Sequence, residues 1–409
     1  MPIPIASALS DKVELEGNRI LKYWQDHVLL PDGSFHGEIA HDGKVNSHSP
    51  RGAILASRIL WTFSRAINSH FGVSPAYRGI ADRSYNFLKN YFWDTENLGF
   101  FWMIDEFNQP VTDTKHIYAQ AFALYALTEY HAASGNNEAL HLAELTYTLI
   151  ERYARDAQHG GYFESFTRCW TATHNSLLDP ESLNSDSELG KSMNTHLHVL
   201  EAYTQLYRVW PNTQLKTSIQ NLLDIMSMKI LNTNTYHFEL FFDATWTIKS
   251  DVISFGHDIE GSWLMAEAAE VIEDPVRIDR FHTIAIKMVD TVLAQGLDTD
   301  YGVFNEGRGS SIIDDGKDWW PQAEAVVGCI NAYQISGHTR YLEAAQHIWN
   351  FIEQYMVDQE HGDWYWKVFR NGQPDVQKPI VEPWKCPYHN TRACMEVWQR
   401  LSDLEANRA

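Results

Sequence analysis

Apolar positions along this chain recur with a helical period rather than alternating as in strands. Segments near 9–27, 76–92, 137–155, 213–230, 276–295 and 339–356 each pair an apolar stripe with a polar face, as expected of helices covered on one side only. Between them lie segments near 50–70, 115–133, 190–209, 256–273, 320–336 and 388–402, richer in alanine and large apolar residues. The run Ala119-Gln120-Ala121-Phe122-Ala123-Leu124-Tyr125-Ala126-Leu127 is typical, and these segments are predicted to be the more buried set. A Gly-aromatic signature precedes each of them: Gly33-Ser34-Phe35, Gly99-Phe100-Phe101-Trp102, Gly160-Gly161-Tyr162-Phe163-Glu164, Tyr236-His237-Phe238-Glu239, Tyr301-Gly302-Val303-Phe304-Asn305-Glu306 and Gly362-Asp363-Trp364-Tyr365. Successive copies fall about 60 to 76 residues apart, so about six repeats of a helix pair account for the chain.

Six outer and six inner helices predict an all-α fold, an (α/α)6 barrel forming one domain over 1–409. Short β-hairpins or turns at the signatures would gather at one end. An open solenoid is the alternative for repeated helix pairs, but neither end carries a polar capping repeat. In a closed ring the N-termini of the inner helices point toward one central cleft, where their dipoles favour negative charge.

Composition narrows the partners. The 409 residues carry a net charge of -21, from 32 Lys+Arg against 53 Asp+Glu, which argues against nucleic acid and anionic lipid. Aromatic residues are 13% of the chain, with 15 Trp, which suits either a large core or a site for sugars or bases. The four cysteines, Cys169, Cys329, Cys386 and Cys394, form no CxxC pair, so the expectation is reduced thiols in a cytoplasmic protein. The N-terminal stretch turns acidic before an apolar signal core could form, and no uninterrupted apolar run is long enough for a membrane span.

Polar and aromatic residues out of place in buried helices cluster near the inner helix starts: Arg58; Lys115, His116 and Tyr118; Asn194, His196 and His198; His257, Asp258, Glu260 and Trp263; Trp319, Trp320 and Glu324; Trp384, His389 and Arg392. Any one of the histidines alone reads as a core or surface residue, and convergence from separate repeats is what points to chemistry. His257, Glu260 and Trp263, spaced i, i+3 and i+6, share roughly one helix face, so the carboxylate could orient the imidazole or simply answer the helix dipole. His196 and His198 stand about 200° apart on their helix, so one of them faces the cleft. Arg58, inside an apolar run, demands either an anionic ligand or a buried carboxylate partner. The tryptophans are either core or walls on which a sugar stacks. No HExxH and no pair of histidines at i, i+4 on one helix is present, so no metal is expected.

The stretches Ser57-Arg58-Ile59-Leu60-Trp61, Lys115-His116-Ile117-Tyr118, His198 with Glu201-Ala202-Tyr203, Gly256-His257-Asp258-Ile259-Glu260, Trp319-Trp320-Pro321-Gln322-Ala323-Glu324-Ala325 and Trp384-Lys385-Cys386-Pro387-Tyr388-His389-Asn390 together resemble the N-acylglucosamine 2-epimerase superfamily and, within it, the cellobiose 2-epimerases. The resemblance runs over nearly the whole chain. It implies an (α/α)6 barrel, no cofactor, and epimerisation at C2 of the reducing-end glucose of a β-1,4-linked disaccharide. It further implies that His257 and His389 are the acid/base pair and that Arg58 and His198 bind the opened sugar and its enediolate. Glu260 would be the orienting carboxylate, and Trp320, Trp384, Trp263, Glu324 and Tyr118 would be substrate-binding positions. His196 has no assigned part.

The chemistry suits these residue types. The C2 proton is acidic only beside a free carbonyl, so the ring must open before one imidazole removes the proton and another returns it to the opposite face. A mannose 2-epimerase or an aldose-ketose isomerase would use the same enediolate on a single ring. A glycoside hydrolase would instead pair carboxylates such as Glu260 and Glu324, and a non-catalytic sugar-binding protein would leave the histidines without a purpose. The expected partner is a small sugar, and the expected assembly is a monomer or homodimer.

Overall fold

The computed structural model describes residues 3–173 and 190–406. Among these residues, twelve α-helices alternate between two layers. The outer set comprises α1 (Ile3–Tyr23), α3 (Ala76–Phe87), α5 (Asn137–Leu149), α7 (Thr213–Ile225), α9 (Pro275–Gln295) and α11 (Thr339–Phe351). The inner set comprises α2 (Ala53–Asn68), α4 (Ile117–Ser134), α6 (Met193–Val209), α8 (Phe255–Val271), α10 (Trp319–Ser336) and α12 (Tyr388–Ala406). Every outer helix except α9 ends in a five-residue π turn, such as Trp24–Val28 after α1.

Side-chain pattern decides the layer. On α7 the buried residues are Leu215, Ser218, Ile219, Leu222 and Leu223, one stripe at helical spacing. On α4 every residue from Ile117 to Tyr130 is buried, as an element surrounded by other helices requires. Inner helices pack in sequence, α2 on α4, α4 on α6, α6 on α8, α8 on α10 and α10 on α12, and α12 returns to α2. That last contact closes the (α/α)6 ring, so the open-solenoid alternative falls. Side-chain caps fix the starts of α5 and α7: Asn136 accepts from the amides of Glu138 and Ala139, and Asn212 from those of Gln214 and Leu215.

The Gly-aromatic signatures form narrow hairpins between the layers, bridged at Leu29 and Phe35, Trp93 and Phe100, Arg155 and Tyr162, Leu231 and Phe238, Leu297 and Val303, and Val357 and Trp364. At Gly161 (φ +78°) a Cβ would stand 2.5 Å from the Trp246 ring and 2.6 Å from His196, so only glycine fits the turn.

Three expected helix starts move. Residues Arg51–Gly52, Lys115–His116 and Gly190–Ser192 are short strands rather than first turns, because their backbones pair with Met103–Ile104, Ser165–Phe166 and Phe241–Asp243. Alternation along a strand then separates side chains that a helix would have kept nearer. Lys115 reaches the buried Asp94 at 3.1 Å, while His116 lies against Trp102 with ring centroids 4.3 Å apart. Burial lowers the His116 pKa to about 4.

Candidate active site

The inner helices bring their first two turns to one end of the ring. Arg58 comes from α2, Tyr118 from α4, His198 from α6, His257 and Glu260 from α8, Trp320 and Glu324 from α10, and His389 and Arg392 from α12, with Trp384 on the segment just before α12. Trp320 stands between the two expected acid/base histidines. Its ring centroid is 4.6 Å from His257 and 5.7 Å from His389. Tyr118 lies edge-on to His198 at 5.0 Å and 5.8 Å from Trp384.

The support behind each imidazole differs. His257 Nδ1 meets the Ser254 hydroxyl at 2.7 Å, whereas Glu260, one turn further along α8, points to Arg392 Nη2 at 2.6 Å. The carboxylate that orients His389 is Glu324, whose Oε1 is 2.7 Å from Nδ1, with Glu260 at 3.9 Å. His198 Nδ1 is held by Glu201 at 2.8 Å. Arg392 joins these groups: it donates to Glu201, Glu260 and Glu324 and to the Tyr388 hydroxyl, which in turn bonds Glu201. His198 and His389 therefore sit on one connected buried network.

This geometry bears on three sequence expectations. Glu260 does not orient His257, because the i+3 carboxylate is drawn to the guanidinium. Glu324 and Trp263, expected as sugar-binding positions, are buried and bonded to each other, with Trp263 Nε1 3.1 Å from Glu324 Oε2. Trp263 is six residues along α8 from His257, about 9 Å deeper into the barrel, and its ring lies under Arg392 at 4.9 Å. Glu260, Glu324 and His389 offer three potential ligand atoms within 4.8 Å of one another. The Arg392 guanidinium already bonds both of those carboxylates, at 2.6 and 2.7 Å, and takes the place a cation would need.

Arg58 meets neither partner expected of a structural ion pair. It is 2% exposed and has no carboxylate within ion-pair range among the described residues. It bonds the Tyr118 hydroxyl at 3.0 Å and the Trp384 carbonyl at 3.4 Å, and lies over the rings of Phe122 (4.2 Å) and Tyr388 (4.8 Å). A buried, unneutralised guanidinium at the cleft favours an anion there.

His196 and Asp258, singled out with this set, belong to the scaffold. His196 Nδ1 donates to the Ser192 carbonyl at 2.7 Å, and its Nε2 accepts from the Tyr162 amide at 2.9 Å. Asp258 accepts from the Phe238 amide at 2.7 Å, as Gln120 does from Phe100 and Gln322 from Val303. In each case a side chain in the first turn of an inner helix braces the hairpin before it. The residues that sequence reading left without a role are Ser254, Glu201, Tyr388 and Arg392. The i, i+3 pair His198/Glu201 and the i, i+4 pair Tyr388/Arg392 were the available signals.

Burial, with the nearby His198, lowers the His257 pKa to about 3. Burial, with the nearby Arg58 and Arg392 guanidiniums, holds His389 well below the ordinary histidine range. Both are therefore neutral bases at pH 7. Burial, with the charge of Glu324, pushes Glu260 up to about 7. Because the charged imidazole is the disfavoured form, protonation is deferred to lower pH. The ring 15N shifts of His257 and His389 are expected to stay those of neutral imidazole down to pH 5. A midpoint near 6.5 for either ring would contradict the assigned environment.

A sequence model of the N-acylglucosamine 2-epimerase (GlcNAc 2-epimerase) family matches residues 33–393. The cellobiose 2-epimerase of Bacteroides fragilis is 37% identical over 381 residues, covering 93% of this chain and 95% of that protein. The structure of the cellobiose 2-epimerase from Bacillus thermoamylovorans B4167 superposes with a TM-score of 0.90 at 37% identity, covering 96% of this chain and all of that one. A D-mannose isomerase structure shares the fold at 20% identity, with a TM-score of 0.82. Barrel, cleft and these likenesses together define an isomerase, specifically an epimerase. The chain belongs to the N-acylglucosamine 2-epimerase family. No helix among the described residues is long and apolar enough to cross a membrane.

Proposed function

We propose that the protein epimerises C2 of the reducing-end glucose or mannose of a β-1,4-linked disaccharide, converting cellobiose to glucosyl-mannose through an enediolate. The observation that carries this reading is the pair of imidazoles, His257 and His389, on separate inner helices and both against the Trp320 ring. After ring opening, one imidazole takes the C2 proton and becomes imidazolium, and the electron pair moves into the enediolate. Arg58 and His198 face the developing negative charge, which the inner helix N-termini also favour. The first imidazolium loses its proton to solvent, and the second imidazole, protonated from solvent, delivers one to the opposite face of C2. Trp384 supplies an outer wall beside Trp102, 6.0 Å away, next to a cavity of about 240 Å³ lined also by Met103, Pro383 and Glu382. The second sugar ring stacks there. The same reading puts the enzyme in the cytoplasm, as a monomer or homodimer with four free cysteines.

NMR of cellobiose incubated with the enzyme in D2O tests this. The expected product is glucosyl-mannose with deuterium at C2 of the reducing-end sugar only, and Trp384→Ala is expected to lower disaccharide turnover more than monosaccharide turnover. Rapid turnover of free mannose with no action on cellobiose or mannobiose would replace this reading with a monosaccharide epimerase or isomerase.

A further inference from the structure

The turns of the second and third hairpins share an arrangement that the sixth departs from. In the second and third repeats an aspartate opens the turn and divides its oxygens. Asp94 Oδ1 accepts from the amides of Glu96 and Asn97, and Asp156 Oδ1 from those of Gln158 and His159. The other oxygen takes the buried lysine that precedes the inner helix, Lys115 at 3.1 Å and Lys191 at 2.7 Å. In the sixth repeat Asp358 Oδ1 again accepts two turn amides, from Glu360 (2.9 Å) and His361 (3.1 Å). The corresponding lysine, Lys385, goes instead to Asp363 at 3.4 Å. Without the lysine, Asp358 is approached by two imidazoles, His361 Nδ1 at 2.8 Å and His41 Nδ1, from the long first-repeat loop, at 3.7 Å from Oδ2, and by the Tyr365 hydroxyl.

From this departure we infer a transition-metal site of the zinc class formed by His41, Asp358 and His361, which clasps the first repeat to the last. The three ligand atoms lie within 4.8 Å of one another. Around a tetrahedral ion bonded at about 2.0–2.1 Å, ligand atoms sit ~3.3 Å apart, a value bracketed by the 2.8 and 3.7 Å from Asp358 to the two imidazoles. Two imidazoles and one carboxylate form a borderline donor set that suits Zn2+ over Mg2+ or Ca2+. Asp358 is buried and fixed by the turn amides, while both histidines are part-exposed, so an ion can enter and keep water in its open position. The neighbouring cation, Arg19, donates to the Asp358 carbonyl at 3.0 Å and has its charge met by Glu16 at 2.7 Å.

The site lies at the seam where the ring must close. There Trp24 Nε1 bonds Asp363 at 2.8 Å, Trp364 Nε1 bonds Glu16 at 2.6 Å, and the Ile39 amide meets the Val381 carbonyl at 2.9 Å. An ion bound only by the closed ring stabilises it by mass action. None of its three ligands is bonded to His198, His257, His389 or Arg58, so the clasp acts on stability and not on proton transfer.

The test uses the full chain freed of metal by EDTA, then titrated with Zn2+ by calorimetry and with Co2+ by visible absorption. One equivalent per chain is expected in the wild type, with affinity at least about tenfold weaker in both His41→Ala and His361→Ala. Zn2+ is expected to raise the wild-type Tm by a few degrees and to leave that of His361→Ala unmoved, while EDTA leaves the epimerisation rate unchanged. Absence of binding to the wild type, binding undiminished in His361→Ala, or binding lost only in His389→Ala would each overturn the site. Equal Zn2+-induced Tm shifts in wild type and variant would do the same.

Discussion

His389→Ala is expected to lower epimerisation by about 10²–10⁴-fold, the usual span for a lost general acid/base, and His257→Ala to do the same. Neither ring is a scaffold brace: His257 is half-buried with one hydrogen bond to Ser254, and the Glu324 that orients His389 keeps its bonds to Arg392 and Trp263 when the ring is removed. Both variants should therefore fold. Each removes the base for one face of C2, so each is expected to retain C2 deuterium exchange on a single epimer, a different one for each variant. Steady-state rates on cellobiose together with NMR of each epimer in D2O measure both effects. Near wild-type epimerisation by either variant would end the two-imidazole reading, even if the other variant were inactive.

Arg392→Met is expected to carry the largest stability cost of any single substitution in the cleft. The guanidinium is 1% exposed and bonds three carboxylates, Glu201, Glu260 and Glu324, contributed by three other inner helices. Its loss leaves those carboxylates buried without their counter-charge, a change that typically costs about 3–5 kcal/mol even after some of them take up protons. Urea unfolding should show this as a lower midpoint with little change in slope. Arg392→Lys should recover only part, because a single ammonium cannot reproduce the planar fork that reaches Glu260 and Glu324 from one nitrogen and Glu201 from the other. A midpoint for Arg392→Met indistinguishable from wild type would mean the helix ends are held together by packing alone.

The helical layers were legible in the sequence because the 3.6-residue period and the difference between one-faced and all-round burial are local properties. Segment 276–295 is realised as 275–295 and segment 339–356 as α11 with its π turn, 339–356. The partners of the site were much less legible. His389 meets Glu324 across 65 residues, and Arg392 meets Glu201 across 191, so no window along the chain contains both members. Local spacing tied Glu260 to His257, and tertiary charge pairing overrode it. The place of His196 could have been found by comparing repeats. Lys115 and Gln120, Lys191 and His196, Lys317 and Gln322, and Lys385 and Asn390 all stand five apart, each lysine paired to an aspartate and each second residue bonded at the hairpin. A histidine that occupies a glutamine's place in the repeat is a brace, whatever its catalytic appearance.

Those braces also bear on how such an enzyme can change. A side chain in the first turn of the inner helix carries the hairpin backbone, and the turn aspartate holds the lysine before that helix, so the braced hairpins are fixed. The next loop along the second repeat, 105–109 between the short strands Met103–Ile104 and Pro110–Thr112, lies outside those braces. Such a loop can be lengthened, shortened or recomposed without moving the helix ends that hold the imidazoles. Sugar preference can therefore drift independently of the proton-transfer apparatus, and variation in one rim segment need not be compensated in the next. Grafting the loop 105–109 from a relative of different sugar preference should alter which sugars are accepted while leaving exchange at C2 intact.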